Sequence, residues 1–431
     1  MNRKNLPEIT PQITPDGFTG AIMAIEGIKD AAVLLNGPTG CKFYHGAVAD
    51  GQFPRVDSLD PLYYSEEFYF GQPRVPATYL DDHDYVFGAT EKLEKILPVV
   101  AQKGHSLVAV VNSPGAALIG DDLERFIAQA GLPVPCFPIE STGFSDSFST
   151  GFQIAVIRAL KLLAPQPLEF KRKSVNLVGM SIYHRHWQGS IDELSYLLKI
   201  CGIRVVSVLC AGSGVEELKK LGAAEYNLVV HDEFADHITP FLKERFGQES
   251  IVSEKGAPVG FDATEAWISK VCNIVDADFS PAQKVLAAAR KQSCEVLSRF
   301  NSLTGLPKGA TFAVSADPSM ALPLTKWLYS WLGMVPVSIC TEDTNNDYSD
   351  ILKKFLSDTG CKNAWNMDAA NVRPDIAFGS ELFISRLRLY GLPVIGIDIS
   401  LPGNGYMDVI RKSLLGARGT LYLLEKIING L

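Results

Sequence analysis

The chain has 431 residues, 47% of them hydrophobic and 20% charged, enough for two or three domains with sizeable cores and incompatible with a disordered polymer. Forty basic residues stand against forty-eight acidic ones, a net charge of −8 without a Lys/Arg cluster, which argues against nucleic acid or an anionic membrane surface as partner. No apolar run reaches the roughly 18 residues of a membrane span, and Met1 to Thr14 is polar and proline-bearing without a signal-peptide core, which points to the cytoplasm.

A first helix is expected over Ala21 to Ile25, entered through Asp16-Gly17-Phe18-Thr19-Gly20, with Asp16 placed as its N-cap. Val33-Leu34-Leu35 then reads as a buried strand. Asn36-Gly37-Pro38-Thr39-Gly40 breaks it into a turn, so Cys41 stands at the C-terminal end of a strand, where open parallel sheets collect their ligands. Gly37 and Gly40 flank that position and leave room for a bulky group beside the backbone. Residues 45 to 80 are aromatic and proline-rich with little periodicity, and read as a long binding excursion. Within it, Glu66 and Glu67 beside Tyr63, Tyr64, Phe68, Tyr69 and Phe70 suit a partner interface or the packing of the loop itself. A helix from Asp84 to about Lys103 follows, then a strand over Ser106 to Val111, then a loop, Asn112 to Leu123, whose acidic residues start another helix.

Pro165 to Lys173 reads as a basic linker, and a second unit begins at Val175. Its strands are expected at Arg204 to Leu209 and Tyr226 to Val230, alternating with helices at Ser190 to Cys201, Val215 to Leu221 and Ala235 to Phe246. A connecting helix, Pro281 to Phe300, leads to a third unit with strands at Thr311 to Ser315, Val335 to Ile339, Ile376 to Phe378 and Val394 to Ile397. Strand and helix alternate without hairpin signals, so the expected fold is α/β: three consecutive Rossmann-like parallel-sheet domains, over 1–170, 171–300 and 301–431.

None of the three units carries Gly-x-Gly-x-x-Gly, and no Walker-type Gly-Lys-Ser/Thr loop is present, which argues against ATP hydrolysis or ordinary dinucleotide binding by this chain. The eight cysteines are scattered singly, without a Cys-x-x-Cys pair, and Cys201, Cys210, Cys272, Cys294 and Cys340 lie in apolar patterns expected to be core. Any iron–sulfur cluster must therefore take ligands from another chain. Tyr183-His184-Arg185-His186-Trp187 follows a strand end and suits either an anionic ligand or metal, or a solvated loop.

Gly37 to Cys41, Val86-Phe87-Gly88, Leu118-Ile119-Gly120-Asp121-Asp122-Leu123 and Gly419-Thr420-Leu421-Tyr422-Leu423-Leu424, in this order and spacing, resemble the component 1 proteins of the nitrogenase family. The resemblance implies pairing with a paralogous subunit or a second copy, and electron delivery from a P-loop ATPase reductase component. It also implies a [4Fe–4S] cluster shared at the subunit interface. Of the three cysteines that the family commonly brings to that interface, only Cys41 is present. Asp16 stands at the first position and Ser113 close to the third. One thiolate from Cys41 and three from a paralogue complete a four-ligand cluster, whereas a homodimer would have to add Asp16 or Ser113. Leu401-Pro402-Gly403-Asn404-Gly405-Tyr406 has no histidine where the family's catalytic subunit holds its cofactor, so the chain resembles the companion or assembly-scaffold type. The expected function is that of a nitrogenase-like oxidoreductase subunit. The alternatives are a scaffold for metallocluster assembly or a cluster-free companion.

Overall fold

Apolar runs such as Ala31 to Leu35 and Leu107 to Val111 can be buried on both faces only where helices cover a sheet from both sides, and that is how they fold. The computed structural model describes residues 15–55, 74–140, 146–342, 346–400 and 408–431. The aromatic run Tyr63 to Phe70 and the segment Leu401 to Tyr406 lie outside the described residues.

Among the described residues the strands form three sheets, and every ladder in them is parallel. The first contains β1 (Ala31–Asn36), β2 (Leu107–Asn112) and β3 (Cys136–Ile139). The second contains β4 (Lys171–Val178), β5 (Arg204–Val208), β6 (Ala224–Val229) and β7 (Glu249–Ile251). The third contains β8 (Thr311–Ser315), β9 (Val335–Cys340), β10 (Ile376–Gly379) and β11 (Ile395–Asp398). Period-two alternation is visible in β1, where Val33 and Leu35 enter the main core while Ala32 and Leu34 enter a smaller one on the opposite face.

The strand orders decide where ligands can gather. The second sheet runs β5-β4-β6-β7 and the third β9-β8-β10-β11, so the chain steps from its first strand to one side and then returns to the other. The first sheet runs β1-β2-β3, and residues 76–78 occupy the free side of β1. There Leu35 N–H donates to Pro76 O at 2.8 Å and Thr78 N–H to Leu35 O at 3.0 Å. All three sheets thus share one order, with a topological switch point between the first and third positions. Crevices at the carboxyl ends of such strands are the usual ligand sites of open α/β sheets.

Helix Gly17–Glu26 crosses helix Phe148–Leu163 at backbone contact distance: a Cβ on Gly151 would lie 1.8 Å from Gly17 O. At the other end of the chain, helix Gly416–Ile428 returns to the second unit. Its Gly416 N–H donates to Pro258 O at 2.8 Å, and Arg418 N–H donates to Glu193 Oε1 at 3.1 Å.

Several sequence expectations need correction. The turn after β1 ends at Pro38, and Thr39–Gln52 is helical. Gly40, Gly46 and Gly51 dilute its apolar period, and the residues it buries are only His45, Gly46 and Ala49. The helix expected from Asp84 to Lys103 is two, Asp82–Phe87 and Thr90–Ala101, separated at Gly88 with φ +99°. The basic linker ends earlier than expected, since β4 starts at Lys171. Cys294 is exposed and Cys340 half-buried, whereas Cys201, Cys210 and Cys272 are buried as expected. No helix of the described residues is long and apolar enough to cross a membrane.

Candidate functional site

The first switch point is built from the ends of β1 and β2. Asn36 and Asn112 pair across the ladder and are both buried. One bond joins their amides, Asn36 Nδ2 donating to Asn112 Oδ1 at 2.8 Å, while Thr78 Oγ1 donates to Asn36 Oδ1 at 2.8 Å. Gly37 then passes so close to Ser113 that a Cβ would stand 2.8 Å from the serine Cβ, which no side chain could tolerate. Its glycine serves this approach to Ser113. An added Cβ on Gly40, by contrast, would meet nothing within 4 Å, so of these two glycines only Gly40 leaves space for an incoming group.

Cys41 lies in the first turn of helix Thr39–Gln52, half-buried, beside the helix N-terminus. Burial first, and then the Asp16 carboxylate, push its thiol pKa up, against a backbone hydrogen bond that lowers it. Asp16 caps helix Gly17–Glu26, its Oδ1 accepting from Thr19 N–H at 2.9 Å and from Thr19 Oγ1 at 2.8 Å. Thr19 Oγ1 also lies 3.1 Å from His45 Nε2, and His45 Nδ1–H donates to the Cys41 carbonyl at 2.6 Å. Ser113 Oγ accepts from Ala116 N–H at 3.3 Å. The fold therefore gathers Asp16, Cys41 and Ser113 around one switch point. Both oxygen side chains already serve local hydrogen bonds there.

The chemistry of this donor set fits one soft ligand. No group of three or more His, Cys, Asp or Glu side chains able to hold a metal exists among the described residues, so a four-ligand cluster fits here only as a shared one. The elements that lead into and out of this switch point expose large apolar side chains. Phe43 is 62% exposed, Val86 and Phe87 73% each and Leu118 89%, while Lys42 lies over the rings of Phe43 and Tyr79. Clusters of exposed large apolar side chains mark association surfaces.

A second gathering occurs where strand ends of the second and third sheets meet. The loop after β4 is not solvated, correcting one of its two sequence readings: His184, Arg185 and His186 are all buried. His184 Nδ1 accepts from Ser181 N–H at 2.9 Å, and its ring stacks on His231, after β6, with centroids 4.5 Å apart. Burial lowers its pKa to about 4. Arg185 pairs with Asp398, at the end of β11, at 3.2 Å. His186 Nδ1 lies 2.5 Å from Asp408 Oδ2, with its Nε2 3.2 Å from the Tyr422 hydroxyl. Tyr183, fully buried, brings its hydroxyl 3.3 Å from that of Tyr44 on the Cys41 helix, linking the two sites.

Three carboxyls that sequence reasoning missed complete this cleft: Glu233, Asp317 and Glu342. Burial raises Glu233 to about 8, helped by Asp317, and Glu342 to about 7, helped by Glu233. Asp317 is raised well above the ordinary carboxylate range, by burial and by Glu342. Glu233 Oε1 accepts from Ser319 N–H at 2.6 Å, and His231 Nδ1 lies 3.2 Å from Ser319 Oγ. Each acid follows a strand by a few residues, after β6, β8 and β9, and the switch-point rule applied to those strands would have found it.

Comparison with known proteins identifies the family and the fold. The chain is 24% identical over 345 residues to the nitrogenase iron-molybdenum cofactor biosynthesis protein NifE of Clostridium pasteurianum, covering 79% of this chain and 71% of that protein. It is 26% identical over 294 residues to a light-independent protochlorophyllide reductase subunit of Rubrivivax gelatinosus, covering 64% and 53%. Against the corresponding reductase subunit of Chlorobium limicola it is 28% identical over 172 residues, 40% of this chain and 32% of that one. The chain thus spans about a third to a half of these two reductase subunits. The solved structure of nitrogenase Cp1 at pH 6.5 matches the whole chain and 95% of its own, with a TM-score of 0.76 at 16% identity. The model of the family described as nitrogenase component 1 type oxidoreductase matches residues 17–431, and the chain belongs to that family.

Proposed function

We propose that this chain is one subunit of a nitrogenase-like oxidoreductase complex and that Cys41 supplies one of the four ligands of a [4Fe–4S] cluster shared with another chain. The observation that carries the reading is a half-buried thiol at the first switch point, on a helix that also exposes Phe43. Asp16 is the further candidate ligand from this chain, and a second copy as partner would require either it or, more weakly, Ser113. The preferred partner is a paralogue that brings three cysteines. When bound, the cluster supplies one-electron transfer between a P-loop ATPase reductase and a substrate or metallocofactor.

The chain's own residues set the terms of that binding. Cys41 must lose a proton that burial and the Asp16 carboxylate help to retain, so cluster loading weakens as pH falls. Gly37 and Ser113 hold the end of β1 against the end of β2, and His45 fixes the Cys41 carbonyl. In the second cleft, Glu233 and Glu342 keep protons near neutral pH, the state required of groups that hand protons to a reduced acceptor.

The second reading, a scaffold for metallocluster assembly, is favoured by the NifE match, which covers 79% of the chain. Anaerobic co-expression with a three-cysteine paralogue separates the readings. The first expects about four iron and four sulfide per pair and turnover of a reducible substrate with ATP and the reductase. Iron without turnover supports the scaffold. A pair free of iron supports the cluster-free companion.

A further inference from the structure

The helix that presents Cys41 is poorly held by apolar packing, because the residues it buries are a histidine, a glycine and an alanine. Val48 and Phe53 touch the core only partly buried. Polar ties must therefore fix its position, and they lie at its two ends. At the first end, Thr19 meets His45, which donates to the Cys41 carbonyl. At the second, Glu26 closes the neighbouring helix, fully buried. Its Oε1 accepts from Val33 N–H of β1 at 3.2 Å, and its Oε2 lies 2.6 Å from Arg74 Nε and 3.6 Å from Arg55 Nη2.

The two arginines share this carboxylate but do different things. Arg74 Nη1 donates to Ala49 O at 2.9 Å and to Phe53 O, the C-terminal turn of the Cys41 helix, and reaches Asp50 at 3.4 Å. Arg55 stands just beyond the end of that helix and donates to the carbonyls of Ala31, Glu26 and Ile28, so it ties down the chain that leaves the helix and none of the helix's own carbonyls. We propose that the Glu26–Arg74 pair is the positioning device of the Cys41 ligand. It fixes the axial register of the Cys41 helix against β1 and the Asp16 helix, and with it the place of the thiol beside Asp16 and Ser113. This inference takes its purpose from the reading of Cys41 as a cluster ligand, but it can be tested without the cluster.

The test is the rate at which iodoacetamide alkylates Cys41 in the cluster-free full-length chain, followed residue by residue by mass spectrometry with exposed Cys294 as the internal reference. Arg74→Gln should speed Cys41 alkylation at least about fivefold by freeing the helix to open locally, with Cys294 unchanged. Arg55→Gln removes comparable hydrogen bonds yet should leave the Cys41 rate within about twofold of wild type. Arg74→Lys, which keeps a charge beside Glu26, carries the same expectation in weaker form if the glutamine variant does not fold. Equal rates in all variants overturn the proposal, as does equal acceleration by both arginine substitutions, which would mark general destabilisation. The alkylation contrast without iron in the wild-type complex leaves the positioning role standing and removes the cluster. Iron without the contrast does the reverse.

Discussion

The first switch point and the cleft between the second and third sheets arise from the same strand order, yet they are opposite kinds of site. The elements around Cys41 expose large apolar side chains, and no group of three or more His, Cys, Asp or Glu side chains able to hold a metal exists there among the described residues. Around His184 the titratable groups are internal: Arg185 beside Asp398, His186 beside Asp408, and the acids Glu233, Asp317 and Glu342, which burial holds towards their protonated forms. The contrast teaches that a switch point places residues but does not finish a site. What finishes it is another chain in the first case and the chain's own third unit in the second. Substitutions in the cleft should therefore act on stability and its pH dependence, and substitutions around Cys41 on assembly.

The largest effect is expected for Arg185→Met, which leaves Asp398, raised to about 7 by burial, without its cation in the interior and should cost about 3 kcal/mol in chemical denaturation above that pH. A loss under about 0.5 kcal/mol would show that the ion pair does not hold the two units together. Next comes pH. Glu233 and Glu342 have folded pKa values raised to about 8 and about 7, so the native state holds extra protons above their ordinary range. The stability they contribute is present at low pH and is lost as pH rises through those values. His184, lowered to about 4, works in the other direction but only below its ordinary value of 6.5. Between pH 6.5 and 8.5 the acids act without it, and wild type should lose stability with rising pH. Glu233→Gln should flatten that slope by up to about 1.4 kcal/mol per pH unit. A slope identical to wild type would mean that Glu233 titrates as an ordinary carboxylate.

Smaller effects fall at the first switch point. Asp16→Ala removes a helix cap and should cost about 1 kcal/mol, whereas Asp16→Asn keeps the cap within a few tenths. Iron bound by the complex should be unchanged in the asparagine variant if Asp16 is a cap alone, and reduced if it is a ligand. The smallest change in stability, within about 0.5 kcal/mol, is expected for the double variant Phe87→Ser and Leu118→Ser. Yet sedimentation should show that it pairs at least about tenfold more weakly, since exposed apolar anchors carry association energy. Normal pairing would move the interface away from Cys41.

Much of this contrast was legible in the sequence, for definable reasons. Strands buried on both faces announce themselves as apolar runs, and Asp16 before Thr19 and an apolar stretch is a readable cap. The helix Thr39–Gln52 was hidden because glycines occupy three of its positions and its polar ties are made to distant residues such as Arg74. Cys294 suited a core pattern, but its helix, Ser280–Thr304, exposes that turn along with Val296 and Leu303. The acids of the cleft come together only through the docking of the third unit on the second, which no local pattern records. Their position just beyond strand ends was the available signal.

The most direct test of the central claim is iron retention by Cys41→Ala in the complex assembled anaerobically with a three-cysteine paralogue. Removing the thiolate should leave one iron without its soft ligand, so iron content and the EPR signal of the reduced cluster should fall while circular dichroism stays at wild type. Cys41→Ser should keep a more labile cluster through oxygen ligation. Full iron and an unchanged spectrum in the alanine variant would contradict the assignment of Cys41 and leave the first switch point a packing feature.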